Sequence, residues 1–327
     1  MSEPSGSGEA SKPRVALVGA RRVRQGLGPY VAKHLAAAGA EIVGLIGTSP
    51  ASCRQAEGDI EGSAGLRVPG YTDLSQLVKA HAPHALAVLC PPEAHGHFLD
   101  QALEQNLHVL CEKPLQWTDS GERDAEDSCE RVFRFRDKGL YLAENCQWPE
   151  VLPGIQALEP AILDRPSLFG MGLEPATSGL RMLGDALSHP LSVLEALLPG
   201  PARIDRTQAT WGPEGRAVDL DFRWTTSAGS LITHIELRSS DRNPRGAWIE
   251  LDSVRFERLV RPEDYAMFLS TGARVHQIED PLVRHLRGFV SNLTSVLAGS
   301  PAPDPTPLAD RARMLDQLRT ACGIQST

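Results

Sequence analysis

Lys113 holds the most suggestive position of any reactive side chain in this sequence. It stands between Glu112 and Pro114, directly after the apolar run at 108–111. A lysine on a proline-locked loop at a strand end is badly placed for packing. An ammonium fixed there can lower the pKa of a neighbouring hydroxyl, or it can simply pair with Glu112 at the surface. A second chemically suggestive stretch lies near the N-terminus. Gly19 is followed by ARRVRQ and then by Gly26, Leu27, Gly28 and Pro29. Glycines let backbone approach a pyrophosphate, and Pro29 suits the first turn of a helix whose N-terminus favours an anion. Arg21, Arg22 and Arg24 add positive charge to this enlarged turn. The compact G-x-G-x-x-G spacing is absent, and any glycine-rich surface loop shares these features. Thr48 and Ser49 follow the next apolar run, with Arg54 shortly after and no carboxylate. Hydroxyls and a guanidinium suit a ribose 2′-phosphate, so NADP is favoured over NAD. The plainer reading is a helix N-cap followed by a solvated arginine.

The elements that position these residues are legible. Residues 14–19 and 41–46 read as buried strands flanking a helix at 29–38. Residues 72–82 read as an amphipathic helix. Residues 86–90 form a fully apolar strand stopped by Pro91 and Pro92, followed by a helix at 94–105 and a strand at 108–111. Strand–helix–strand is a right-handed crossover, and ligands of such sheets gather at the carboxyl ends of the strands. Pro91, His95, Glu112 and Lys113 all fall at that edge, although His95 also suits a bland early-helix position. A long charged helix is expected over 118–138 and a last strand over 141–145. Gln147 and Trp148 follow it as substrate-side candidates, with interdomain packing the simpler role for the tryptophan.

Beyond this point the pattern changes. Val218, Leu220, Phe222 and Trp224 alternate with Asp219, Asp221 and Arg223. Strands are expected at 167–173, 203–211, 217–224, 230–238, 247–252 and 253–260, in a largely antiparallel sheet with one face in water. One helix is expected at 187–197. An extended segment precedes another at 280–297, and a last helix is expected at 308–320. The fold class expected is α/β, with three segments: a tail at 1–13, a Rossmann domain at 14–146, and an open-sheet domain at 147–327 whose closing helices return to the Rossmann domain.

A chain of 327 residues favours two domains. The formal net charge of -8 argues against nucleic-acid or anionic-membrane partners, and no apolar run is long enough to span a bilayer. Six cysteines fit no zinc-ribbon or CxxC spacing, no metal is expected, and a reducing cytoplasm is the expected setting.

The series strand, PPEAH, helix, strand, HVLCEKPL, followed by an antiparallel-sheet domain, resembles the Gfo/Idh/MocA family of oxidoreductases. The segments TDLSQLV, APHALAVLCPPEAH and Asp280-Pro281-Leu282 agree with it, so the resemblance runs from Val15 to the C-terminal helices. It implies that Lys113 reaches the nicotinamide ribose and the substrate hydroxyl. It also implies an aspartate and a histidine four residues apart at the cleft, matched here by Asp185 and His189. In that reading His189 shuttles the proton and Asp185 orients the imidazole or binds a sugar hydroxyl. As isolated residues, His189 also suits a cap or core role and Asp185 a loop. Three departures stand out. Ala186-Leu187 replaces a glycine-containing spacing, Ser192 stands where a second aspartate is common, and Pro190 follows His189. Pro190 should start a helix near Ser188 and leave Asp185 in a loop. The resemblance implies hydride transfer between NADP(H), or NAD(H), and a hydroxyl or ketone carbon of a small sugar- or cyclitol-like molecule. It also implies a homodimer or homotetramer through the C-terminal sheet. The altered turn leaves open a non-catalytic dinucleotide sensor or partner subunit.

Overall fold

The computed structural model describes residues 12–20 and 27–323. Its first sheet is built from β1 (Arg14–Val18), β2 (Glu41–Ile46), β3 (Gly70–Tyr71), β4 (Ala85–Val88), β5 (His108–Cys111) and β6 (Leu142–Glu144). The order is β3-β2-β1-β4-β5-β6, and every pairing is parallel. Helices α1 (Gly28–Ala37), α2 (Pro50–Ala64), α3 (Leu74–His81), α4 (His95–Glu104) and α5 (Asp124–Asp137) make the crossovers. The apolar strand runs follow from burial on both faces: Val15 and Leu17 of β1 enter one core, Ala16 and Val18 the other. This is the doubly wound dinucleotide-binding arrangement.

The second half begins with α6 (Leu152–Leu158), β7 (Leu168–Leu173), α7 (Leu180–Ala186) and α8 (Ser188–Leu197). Then come β8 (Arg203–Trp211), β9 (Ala217–Thr226), β10 (Gly229–Arg238), β11 (Ala247–Leu251), β12 (Val254–Val260), β13 (Met267–Ser270) and β14 (Val275–Ile278). The sheet order is β14-β13-β12-β11-β7-β10-β9-β8, antiparallel throughout except where β7 meets β10. Its inner face, including Val218, Leu220, Phe222 and Trp224, is buried in a third core with α7 and α8. The alternation expected along β9 is therefore borne out.

Two helices close the chain, α9 (Pro281–Leu297) and α10 (Thr306–Ala321). Helix α9 sends Leu286, Phe289 and Leu293 into the first domain's core, where Phe289 stacks on Tyr141. Helix α10 gives Ala309 to the first domain and Met314, Leu315 and Leu318 to the second. Its Arg311 bridges Glu144 on β6 and Glu195 on α8, and its Arg319 reaches Asp124 at the start of α5.

Several expectations need correction. Helix α5 starts at Asp124 rather than 118, because Gly121 and Arg123 adopt left-handed backbone and Asp124 caps the loop by accepting from Thr118 N and Oγ1. The extended segment before α9 is a hairpin, β13–β14. Helices α6 and α7 were not anticipated, whereas the helix N-cap reading near Thr48 and Ser49 holds, since Ser49 caps α2. Asp185 lies in α7, not in a loop. Leu187 keeps helical backbone between α7 and α8, and the break matches the hydrogen bond that Pro190 cannot give to Ala186. The tail expected at 1–13 lies outside the described residues except for Lys12 and Pro13.

Candidate active site

Strand β5 ends at Cys111, and its continuation carries Lys113 toward the second domain. The Lys113 Nζ donates to Asp185 Oδ1 at 2.9 Å and to the Asp185 backbone carbonyl. The lysine side chain is only 13% exposed, which removes the surface-pair reading. Glu112 is engaged elsewhere: its Oε1 accepts from Asn145 Nδ2 at 2.6 Å, tying β5 to the end of β6. Burial pushes the Glu112 carboxyl up. For Lys113, burial disfavours the charge, but Asp185 and Glu112 together outweigh it and hold the amine protonated. Burial likewise pushes Asp185 up, yet the lysine overrides it and the carboxyl is lowered. The two shifts agree on a charged pair.

His189 stands one turn beyond Asp185. Burial lowers its proton affinity most, and Lys113, Arg311 and Arg258 lower it further, so the ring is held well below the usual imidazole range and neutral. Its Nδ1 is shielded from solvent and has no hydrogen-bond partner. The ring meets Trp148 edge-on, with centroids 6.3 Å apart. Asp185 spends its oxygens on Lys113 and, at 3.4 Å, on Thr177 Oγ1. Its orienting contact therefore goes to the amine rather than the imidazole. Ser192 donates to the His189 carbonyl at 2.7 Å and braces the helix.

Lys113, Asp185 and His189 share a cleft of about 500 Å³ with Gln147 and Trp148. The opposite wall was not anticipated: Glu174, Arg245 and Arg258 come from the second sheet and its loops. A signal for Arg258 was present. It follows buried Phe256 by two residues on β12, so it occupies an inward position where an apolar side chain would be usual.

A larger cavity of about 960 Å³ lies over the carboxyl ends of β1, β2 and β4. Gly19, Thr48 and Pro91 line it. His97, Phe98 and Gln101 of α4, together with Thr72 and Asp73, complete the wall. The glycines fit a dinucleotide turn by close approach. Gly19 has φ +75°, and an added Cβ would lie 2.7 Å from Cys90 backbone. At Gly28 a Cβ would lie 2.4 Å from the Ala20 carbonyl, so only glycine lets α1 start against the β1 loop. Arg21, Arg22, Arg24 and Gly26 lie outside the described residues. Ser49 caps α2, accepting from Ser52 N at 3.2 Å, while Arg54 is exposed on that helix and is not among the lining residues. His95 is fully buried, its Nδ1 2.7 Å from the Pro114 carbonyl and its Nε2 2.8 Å from that of Cys90. It braces the two strand-end loops, and His97 is the histidine on the cavity wall.

One group of metal-ligand types occurs among the described residues: Asp219, His234 and Glu236 on the outer face of the second sheet. Arg238 already supplies positive charge there, 2.6 Å from Asp219 and 3.6 Å from Glu236.

Residues 13–130 match the family model GFO_IDH_MocA, described as an oxidoreductase family with an NAD-binding Rossmann fold. The match covers the N-terminal dinucleotide-binding half, which is similar to the Gfo/Idh/MocA oxidoreductases. Similar solved structures extend the likeness along the chain. UDP-N-acetylglucosamine 3-dehydrogenase GnnA from Acidithiobacillus ferrooxidans has 16% identity and a TM-score of 0.67, covering 97% of this chain and 99% of that one. An inositol dehydrogenase homolog from Azotobacter vinelandii, solved with NADH and myo-inositol, has 17% identity and a TM-score of 0.68 over 96% of each chain. A variant of KijD10, a 3-ketoreductase from Actinomadura kijaniata, solved with TDP-benzene and NADP, has 18% identity and a TM-score of 0.66. The alignment with KijD10 covers 95% of this chain and 98% of that one. At these identities the likeness speaks for a shared fold alone. No curated protein matches the chain by sequence. No helix among the described residues is long and apolar enough to cross a membrane.

Proposed function

We propose that this protein transfers a hydride between a nicotinamide dinucleotide and a hydroxyl or ketone carbon of a small polyhydroxylated molecule. The observation that carries this is the protonated Lys113 amine, held by Asp185 in the same cleft as a neutral His189. The dinucleotide would be held by the Gly19 turn, the start of α1 at Gly28, Thr48 and Pro91, and it supplies or accepts the hydride. In the oxidative direction His189 accepts the proton leaving the substrate hydroxyl. Lys113 stabilises the developing alkoxide, and Asp185 keeps the amine aimed at it. Trp148 and Gln147 shape the floor of the cleft, whose size suits a monosaccharide or cyclitol.

NADP(H) is the favoured cofactor in this reading, because Thr48 rather than a carboxylate stands beside the end of β2. A domain division near 146 separates the cofactor and substrate halves. The outer face of the second sheet, where Leu168, Ile232 and Leu259 are 41%, 57% and 43% exposed, is proposed as the self-association surface, which light scattering would test. The free thiols fit a reducing compartment, proposed to be the cytoplasm and testable by fractionation. The decisive experiment incubates the protein with NADPH or NADP and a panel of sugars, cyclitols and their keto forms while following nicotinamide absorbance. Substrate-dependent turnover is expected. Tight cofactor binding with no turnover across the panel would favour a sensor instead.

A further inference from the structure

The cleft wall facing Lys113 carries more positive charge than the proposed hydride transfer uses. Arg258 enters from the inner face of β12, with its guanidinium carbon 5.3 Å from the centre of the Trp148 ring. Its Nη2 donates to the Arg245 backbone carbonyl at 2.6 Å. Its Nε is shielded from solvent and has no hydrogen-bond partner. Arg245 lines the same cleft from the loop before β11. Asp280 stands beside Arg258 in an adjoining pocket, its oxygens accepting from Tyr30 Oη and Leu282 N, and two further carboxylates line the cleft, both engaged. Asp185 takes the Lys113 amine, and Glu174 Oε2 accepts from Gly246 N at 3.1 Å. Among the described residues no carboxylate lies within ion-pair distance of the Arg258 guanidinium, although it lines the cleft, and a buried cation without such a partner is costly. A planar fork of donors matches the two oxygens of a carboxylate or two oxygens of a phosphate.

We propose that Arg258, with Arg245 beside it, binds an oxyanion group of the substrate, a carboxylate or a phosphate monoester, across the cleft from Lys113. The substrate is then an acidic polyol, such as a sugar acid or a sugar phosphate, rather than a neutral sugar. This rests on the cleft being the substrate site. Lys113 and Arg258 line the same cleft, so one small molecule can touch both. The arrangement also couples the anion to the proton acceptor. Arg258 is one of the cations that lower the proton affinity of His189, so neutralising it makes His189 a stronger base when substrate is bound.

The test is a binding measurement without turnover. Calorimetry with the full chain loaded with NADPH compares D-glucuronate with D-glucose, D-galacturonate with D-galactose, and D-glucose 6-phosphate with D-glucose. At least one charged probe is expected to bind tenfold or more tightly than its neutral counterpart. The carboxylate and phosphate arms identify which oxyanion the site takes. Arg258→Gln should bring charged and neutral probes within about threefold of one another, and Arg258→Lys should keep only part of the preference. If Arg258→Gln does not fold, Arg258→Lys decides the matter by the same comparison. A second readout is the His189 ring resonance, whose titration should move to higher pH when the charged probe is bound. The proposal fails if no charged probe outbinds its neutral partner, if the preference survives in Arg258→Gln, or if Arg258→Lys keeps it undiminished. Preferred binding of an acid with no hydride transfer would instead sink the oxidoreductase reading alone.

Discussion

Replacing Arg311 by methionine should disconnect the two halves of the molecule at the point that shapes the cleft. The guanidinium is 7% exposed and sits between Glu144 on β6, itself 6% exposed, and Glu195 on α8. Its Nε reaches Glu195 Oε1 at 3.0 Å, and its two terminal nitrogens reach Glu144 and Glu195. Burial opposes the charge on Arg311 and on Glu195. Glu195 stays raised in spite of the arginine, while Arg311 is pushed up because two carboxylates outweigh its own burial. These opposite balances make the net worth of the intact cluster small, whereas removing the one cation leaves two buried carboxylates facing each other. Breaking a buried ion cluster this way costs about 3–5 kcal/mol. With a shift of about 2–4 °C per kcal/mol for domains of this size, the melting temperature should fall by on the order of 10 °C at pH 7. Without the arginine Glu195 is raised further, so the folded state holds a proton that the unfolded chain releases. Stability of the variant should accordingly recover as pH falls from 7 to 5. The triple variant Arg311→Met, Glu144→Gln, Glu195→Gln should restore most of the loss at pH 7. Differential scanning calorimetry of the three proteins at both pH values reads all of this. A loss below about 1 kcal/mol at pH 7, or a triple variant no better than the single, would refute the reasoning.

Two further predictions concern single side chains. Burial holds the His285 ring to about 4, against 6.5 for an ordinary imidazole, so the unfolded chain takes up the proton more readily. Its contribution to stability is whole above pH 6.5 and falls away toward pH 4, by about 2 kcal/mol at pH 5. His285→Leu should make the acid limb of a melting-temperature profile shallower, and an unchanged limb would contradict this. Gly28→Ala would place a Cβ 2.4 Å from the Ala20 carbonyl, whereas one at Gly58 in α2 meets nothing within 4 Å. Gly28→Ala should cost about 1–3 kcal/mol and weaken NADPH binding, while Gly58→Ala should stabilise by about 0.5–1 kcal/mol in thermal shift. Equal effects at the two sites would show that α1 does not need its close approach.

The parts of this fold that could be read from sequence were those whose burial leaves a strong periodic mark. Strands β1, β4 and β5 are apolar on both faces, and β9 alternates cleanly, so each was found close to its true bounds. Helix α2 was read only at its N-cap, because it buries only Ser52, Cys53, Ala56 and Ile60, a stripe too small and polar to mark its length. The start of α5 was misplaced because left-handed backbone at Gly121 and Arg123 is set by Asp124 reaching back to Thr118. At the candidate site, Lys113 was singled out from its strand-end position, and Asp185 and His189 from resemblance; the structure places the three in one cleft. The Asp185–Lys113 contact joins residues 72 apart in sequence and could not be seen. His95 shows the opposite failure: position placed it at the cavity edge, but both ring nitrogens turn inward to backbone carbonyls. Arg245 and Arg258 come from a loop and strand that meet the cleft only once the second sheet is folded.

The most direct test is the rate of hydride transfer in a single turnover by Lys113→Met, with substrate and nicotinamide cofactor both saturating. The amine at the end of β5 is assigned the stabilisation of the alkoxide, so the rate should fall by roughly a hundredfold or more while cofactor affinity changes little. A rate within about tenfold of the wild type would mean that Lys113 does not act on the reacting oxygen.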